Sequence, residues 1–177
     1  CEDANSPGTS GVGPTPLNNP NGIRWSTSLG YLSLSRARLN LTIRPNVSAK
    51  RILFERNSGH IMATGVEVVS GDETFIVEGH EIILSAGAIA SPQLLMLSGI
   101  GPKDHMESHG IKCIVDSPGV GQNLRDHPLI QLKWVTKPEI LLDPMGPSGQ
   151  VLLRYIAEDS PIDNDMIVYM MAVASDR

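Results

Sequence analysis

A strand candidate, a glycine and a helix candidate follow one another in residues 82–101, and this unit most constrains how the chain can fold. Residues 82–86 read IILSA, a short apolar run typical of a buried strand. Residues 87–101 read GAIASPQLLMLSGIG. A glycine directly after a strand lets the backbone come close to a ligand, because no side chain holds the ligand off. Taken by itself, the turn is interpreted equally well as tightly packed or as facing a ligand.

The helix of this unit is predicted to begin at a serine. Ser91 suits the N-cap, since its hydroxyl can accept a hydrogen bond from a free amide of the first turn. Pro92 suits the first helical position, where no amide donor is needed. We expect Leu94, Leu95 and Leu97 to form the buried side of a short helix.

Short strands are predicted upstream of this unit. The patterns at residues 47–55, 61–69 and 73–77 are separated by turn residues, and they predict a three-stranded antiparallel meander inserted before the strand at 81–86. The remaining segments are assigned as an extended loop at 1–22, helices at 26–37, 103–109 and 150–157, and strands at 39–44, 111–116, 129–136 and 166–173. The pattern of elements changes near residues 126–128, where we place a domain boundary.

Charge and cysteine content restrict the partners and the compartment. The chain has 177 residues, a net charge of −5 and 14 scattered basic residues, which argues against a nucleic-acid partner. Cys1 and Cys113 are far apart and are interpreted as free thiols, which favours a cytoplasmic location but leaves the compartment unknown. Polar residues, glycine and proline interrupt the apolar stretch at 82–97, so no membrane span is predicted. Because the chain starts at Cys1 rather than Met, we expect an internal part of a longer protein.

Two motifs resemble known sites and are given structural interpretations. Gly119-Val-Gly121 approaches a dinucleotide fingerprint, but Leu124 stands at the third glycine and only six residues separate Gly121 from Pro128. No helix that could face a phosphate fits there, so we interpret the segment as a connecting loop. His105 and His109 are spaced for metal binding on a helix, but no third ligand is suggested, and no metal site is predicted.

A third group, in an irregular segment, carries side chains capable of acid–base chemistry. Asn123, Asp126 and His127 lie at the proposed domain boundary, where a histidine could act as a general base. The favoured interpretation is that Asp and Asn side chains bond loop amides and that His127 packs against Pro128. A hydrolase is disfavoured, because residues 96–99 lack the leading glycine of a nucleophile elbow.

The run at 87–101 resembles the second sequence signature of the glucose-methanol-choline (GMC) oxidoreductases at every defined position. The matching positions are Gly87, Ala88, Ser91, Pro92, Leu94, Leu95, Ser98, Gly99, Ile100 and Gly101. Other stretches are similar to the family too, namely residues 21–26, 40–43, 51–54, 63–66 and 119–128. The resemblance covers most of residues 20–135 and, more weakly, the rest.

The resemblance implies a flavin enzyme of mixed α/β class. It implies part of an FAD-binding Rossmann-like domain with an inserted antiparallel β-meander, followed by the start of an antiparallel-sheet substrate domain. On this basis, residues 1–25 are an extended loop segment, 26–127 the C-terminal part of the FAD-binding domain, and 128–177 the beginning of the substrate domain. The implied reaction is oxidation of a small-molecule primary or secondary alcohol by hydride transfer to flavin N5. The electron acceptor, oxygen or another, is not implied.

The resemblance also implies which residues contact FAD. Ala86 and Gly87 correspond to the strand end whose backbone approaches the cofactor, and Ser91 lies on the helix that follows. The family places a valine, which contacts adenine mainly through its backbone, at the position occupied here by Ala49. The predicted cofactor-binding residues are therefore Ala49, Ala86, Gly87 and Ser91.

Two family motifs have no counterpart in these 177 residues. The N-terminal Gly-x-Gly-x-x-Gly is not present, nor is the late segment with the catalytic histidine, so no catalytic residue is predicted and His127 is not matched to that role. We therefore expect the chain alone neither to bind FAD tightly nor to turn over. The alternative is a non-catalytic α/β binding or interaction module that shares the strand-glycine-helix unit.

Overall fold

The structure, a computed structural model, describes residues 1–4, 6–137, 139–140, 142–143 and 146–172. These residues group into two compact units, one formed by Thr42–Gln131 and one formed by Cys1–Leu41 with Leu132–Arg177. The elements in chain order are strand β1 (Gly11–Pro14), a 3-10 turn (Pro20–Gly22), a π turn (Ser28–Leu32) running into helix α1 (Ser33–Ser35), strands β2 (Ser48–Asn57), β3 (His60–Ser70) and β4 (Glu73–Glu78), helix α2 (Gly87–Leu97), strand β5 (Ile100–Gly101), helix α3 (Lys103–Ser108), and strands β6 (Val115–Asp116), β7 (Gly149–Tyr155) and β8 (Met166–Met171).

The predicted meander is present in the unit Thr42–Gln131. Strands β2, β3 and β4 pair in that order, and both pairs are antiparallel. Ile52 of β2 and Val68 of β3 are buried and belong to the core of this unit. Arg51 and Glu67 form an exposed cross-strand ion pair of 2.7 Å, which contributes little to stability because solvent screens it.

Helix α2 leads into a small parallel unit in the same part of the molecule. Strands β5 and β6 pair in parallel, and helix α3 forms the connection between them. Met106 of α3 is 1% exposed and is the largest fully buried side chain of the described residues. The helices expected at 91–97 and 103–109 are therefore present, and the mixed α/β class is confirmed.

Several predicted strands are wrong. Residues 82–86, 39–44 and 129–136 form no strand, and the strand expected at 111–116 is reduced to Val115–Asp116. A strand is defined by hydrogen bonds to a neighbour, and none of the strands in the described ranges pairs with residues 82–86. An apolar run marks a segment suited to a sheet but does not supply the partner strand.

The second unit contains a three-stranded antiparallel sheet in the order β1-β7-β8. The helix predicted at 150–157 is wrong, because β7 runs through Gly149–Tyr155 and buries Leu152. A short apolar run is compatible with a strand or a helix. Here the segment forms a strand because it pairs with β1 on one side and with β8 on the other. Strand β1 lies within the segment expected to be an extended loop. Strand β8 is present, with all six residues exposed, whereas Val173 of the predicted strand lies outside the described residues.

The helix expected at 26–37 is shorter than predicted. A π turn at Ser28–Leu32 continues into α1, and the chain then turns at residues 36–37. A methyl group on Gly30 would lie 2.9 Å from the indole nitrogen of Trp25, so the first turn packs directly on this ring. Leu29, Leu32 and Leu34 of this segment are 40%, 36% and 79% exposed.

A carboxylate from β6 caps helix α3, and its removal should destabilise the fold. Asp116 Oδ1 accepts a hydrogen bond of 3.1 Å from the amide of Lys103, the first residue of α3. We expect Asp116→Ala to lower the free energy of unfolding by about 1 kcal/mol, the usual effect of losing such a cap. Asp116→Asn keeps an acceptor oxygen and should lose less. Urea denaturation of the full-length protein measures both, and equal losses for the two variants would contradict this role.

Candidate cofactor-binding site

The turn before helix α2 has a backbone shape that only glycine adopts easily. Gly87 has φ +86°, in the region that L side chains rarely adopt. A methyl group on Gly87 would meet no atom within 4 Å, so the space beside this residue is open. The turn is therefore not explained by close packing within the described part of the chain, and it leaves room for a ligand against the backbone.

The role predicted for Ser91 as N-cap is wrong. Helix α2 begins at Gly87, Ala86 is the N-cap residue, and Pro92 lies inside the helix. The positive φ of Gly87 lets the helix start one turn earlier than the proline suggests. Ser91 instead accepts a hydrogen bond of 3.1 Å from the amide of Ala86 through its Oγ, which closes the turn. Ala86, Gly87 and Ser91 are thus brought together in one structure.

The N-terminus of helix α2 carries no side-chain cap in the described residues. Ala86, Gly87, Ala88 and Ile89 are all exposed. The first amides of an α-helix have no partner inside the helix, and the helix dipole places partial positive charge at this end. The arrangement can bind a negatively charged or strongly polar group of a ligand through backbone donors.

Ala49 lies on β2, at an irregular point of the meander. The pairing moves from Ala49 opposite Val68 to Arg51 opposite Glu67, so Lys50 is the extra residue of a β-bulge. Bulges change the direction of nearby side chains and recur beside binding sites. Ala49 is exposed and belongs to the same compact unit as the Gly87 turn. It is linked to that turn through the packing of α2 against β2, not by a direct hydrogen bond.

A buried serine joins these two elements, and the sequence reasoning assigned it no role. Ser98 follows α2 and is 6% exposed. Its Oγ accepts a hydrogen bond of 2.8 Å from the amide of Ile52 on β2 and donates one of 2.6 Å to the carbonyl of Leu94. The signal that could have found it is its place among the defined positions of the run at 87–101.

The glycines that follow α2 let neighbouring segments approach the helix. A methyl group on Gly101 would lie 2.7 Å from Cγ of Met96. Gly121 has φ +76°, and a methyl group there would lie within 3.8 Å of Met96 and Pro92. The loop that contains Gly121 therefore lies against α2, in agreement with the interpretation of this segment as a connecting loop.

His105 and His109 lie side by side at the end of helix α3. The rings of His105 and His109 are 4.8 Å apart, and Nδ1 of His109 lies 2.9 Å from the carbonyl oxygen of His105. Nowhere in the described ranges do three or more metal-ligating side chains cluster. Asp126 Oδ1 accepts a hydrogen bond of 2.7 Å from the amide of His127, which is the loop-stabilising role expected for this aspartate.

Comparison with known protein families identifies the family of this chain. The family model described as GMC oxidoreductase matches residues 2–129, well over half of the chain. The chain belongs to the GMC oxidoreductase family. The resemblance expected from residues 87–101 is confirmed.

Individual relatives agree with this assignment. The chain is 40% identical over 143 residues to an oxygen-dependent choline dehydrogenase of Photobacterium profundum, which covers 80% of this chain and 24% of that protein. Pyridoxine 4-oxidase from Mesorbium loti is 37% identical, with a TM-score of 0.57, over 62% of this chain and 21% of that one. An FAD-dependent oxidoreductase from Chaetomium thermophilum is 30% identical, with a TM-score of 0.56, over 62% of this chain and 20% of that one.

These matches identify the family and its cofactor at a coarse level. Family membership together with the FAD-dependent relative from Chaetomium thermophilum confirms FAD as the expected cofactor. The chain spans about a quarter of the length of the curated relatives it matches, and about a fifth of the solved chains. No helix in the ranges that the structure describes is long and apolar enough to cross a membrane.

Proposed function

We propose that this chain is part of an FAD-dependent oxidoreductase that oxidises a small-molecule primary or secondary alcohol. The observation that carries the proposal is the open turn at Gly87. Its positive φ, the empty space beside it and the uncapped start of helix α2 support the proposal, because such a turn offers exposed backbone amides to the phosphates of a dinucleotide. When bound, FAD would supply the hydride acceptor at flavin N5 for oxidation of the carbinol carbon.

Within this proposal, the residues of the chain bind and orient the cofactor. Gly87 offers its backbone without a side chain, and Ser91 holds the Ala86 amide so that the turn keeps its shape. The first amides of α2 provide hydrogen-bond donors and partial positive charge. Ala49 offers the exposed backbone of a bulged strand to a second part of the cofactor. No residue of the chain is assigned to move the substrate proton.

The proposed domain division follows the same reasoning. Residues 26–127 are assigned to the FAD-binding domain and residues 128–177 to the start of the substrate domain. The family match ends at residue 129 and the compact unit Thr42–Gln131 ends close by, which supports a boundary in this region. Residues 26–41 group with the other compact unit, so the assignment of this stretch rests on the family resemblance alone.

The substrate is proposed only as a class. The names of the relatives include choline and pyridoxine, which both carry an alcohol group, and this supports an alcohol donor. A non-catalytic module that shares the strand-glycine-helix unit is the competing proposal, and it requires no flavin and no turnover.

Purification of the full-length protein separates these proposals. We expect the visible absorbance bands of a bound oxidised flavin, release of FAD on denaturation, and bleaching of the bands when a suitable alcohol is added without oxygen. The isolated 177-residue chain is the comparison, and it should retain little FAD. A full-length protein that contains no flavin and takes up none from added FAD would rule out the proposed function.

A further inference from the structure

The hydroxyl of Ser98 makes two hydrogen bonds in a buried position between a strand and a helix. Ser98 is the one buried polar residue among those the structure describes. Its Oγ accepts from the Ile52 amide and donates to the Leu94 carbonyl, so the hydroxyl is satisfied both as a donor and as an acceptor. A polar group is retained in such a place because its hydrogen bonds offset the cost of removing it from water.

The bond to Ile52 replaces a strand neighbour. Ile52 lies opposite Val66 in the β2–β3 ladder, and β2 has no second partner strand within the described residues. The Ile52 amide points to Ser98 at this free edge, and without Oγ it would be a buried donor with no acceptor. Ser98 therefore fixes where α2 sits along the edge of β2.

The position of Ser98 gives this bond a consequence for the cofactor. Ala49 precedes Ile52 by three residues, or about 10 Å of strand. Gly87 precedes Ser98 by eleven residues, or about 16 Å of helix. Ser98 is thus remote from both proposed contact points, yet its bond joins the two elements that carry them.

We propose that Ser98 is a positioning residue, which sets the spacing between Ala49 on β2 and the Gly87 turn so that one FAD molecule contacts both. This inference rests on the proposed function. An extended dinucleotide that contacts two elements gains affinity only if their separation is held before binding. Loss of the bond should weaken FAD binding although no atom of Ser98 touches the cofactor.

The test measures FAD affinity and stability separately in the full-length protein. Apoprotein is titrated with FAD and the quenching of flavin fluorescence is followed, while the Tm of the apoprotein is recorded. We expect Ser98→Ala to raise the Kd for FAD about tenfold, the effect of one buried hydrogen bond. Ser98→Thr keeps the hydroxyl and should restore most of the affinity.

Ser108→Ala is the matched control. Ser108 Oγ donates to the carbonyl of His105 within one helix end, at 2.8 Å, and joins no two elements, so its loss should leave the Kd unchanged. If Ser98→Ala does not fold, Ser98→Cys replaces it. We expect its Kd for FAD to lie between the wild-type value and the roughly tenfold higher value expected when the hydrogen bond is lost.

The possible outcomes separate the two proposals. A lower Tm with an unchanged Kd in the Ser98 variants would show a structural role only and would overturn this inference while leaving the flavin enzyme intact. A raised Kd in Ser98→Ala that Ser98→Thr does not restore would also contradict it. Wild-type protein that binds no FAD would instead overturn the proposed function, and this inference with it.

Discussion

Replacing Gly99 by alanine is expected to destabilise the protein more than any other single methyl addition considered for this fold. Gly99 has φ +88°, and a Cβ there would lie 2.7 Å from the carbonyl oxygen of Lys112 and 2.8 Å from Cγ1 of Ile114. The cost of the backbone strain and the cost of the clash add. The carbonyl oxygen of Lys112 belongs to the main chain and cannot rotate away from the new methyl group. We expect the free energy of unfolding to fall by about 2–6 kcal/mol, measured by urea denaturation.

Gly59→Ala is the matched control for this prediction. Gly59 has φ +87°, nearly the same as Gly99, but a Cβ there would meet no atom within 4 Å. We expect Gly59→Ala to lower the free energy of unfolding by about 1–2 kcal/mol, the cost of the backbone strain alone. Equal losses in the two variants would mean that the contacts with Lys112 and Ile114 do not hold in solution.

Replacing Gly87 by alanine is expected to reduce FAD binding strongly while the fold survives. Gly87 has φ +86° and open space beside it, so the folding cost should match that of Gly59→Ala. The added methyl would occupy the space that the proposed cofactor needs. We expect the Kd for FAD to rise about tenfold to hundredfold, as for an overpacked contact.

Flavin content and an FAD titration of the full-length protein test this prediction. Gly59→Ala serves again as control, because it carries the same backbone strain in the β2–β3 hairpin turn, outside the proposed site, and should bind FAD as wild type does. If Gly87→Ala binds FAD with wild-type affinity, the cofactor does not lie against this turn, and the proposed site must be moved even if the protein is a flavin enzyme.

The sequence predicted the parts of the fold that depend on local patterns. Apolar and β-branched residues between clear turns located β2, β3 and β4 within a few residues, because these strands pair with their neighbours in chain order. The connecting-loop interpretation of Gly119–Gly121 also followed from local spacing, since no helix fits before Pro128. Family membership was likewise readable, because the run at 87–101 carries many defined positions.

Features that depend on distant partners could not be predicted. The segment at 150–157 contains a run of apolar residues that suits a helix or a strand, and pairing with β1 and β8 decides its state. Residues 82–86 look like a strand, but no described strand lies beside them.

Within the candidate site too, local patterns could be predicted from the sequence and contacts with remote residues could not. The cofactor contacts assigned to Ala86 and Gly87 come from the family resemblance and stay predictions. The start of α2 was misplaced, because the positive φ of Gly87 is not visible in the sequence. Ser98 was named as a signature position but given no structural role, because its partner, the amide of Ile52, lies 46 residues earlier in the chain. A hydroxyl gives no sign in the sequence that it bonds a remote backbone donor.

The exposed strand β8 has a consequence for handling the chain in isolation. Its six residues read MIVYMM, carry no charge and are all exposed at the end of the β1-β7-β8 sheet. Within the described residues β8 pairs with β7 alone, and an uncharged strand with an unpaired edge is a template onto which a second chain can add. In concentrated solution we therefore expect the isolated chains to associate into oligomers along this edge before they lose secondary structure.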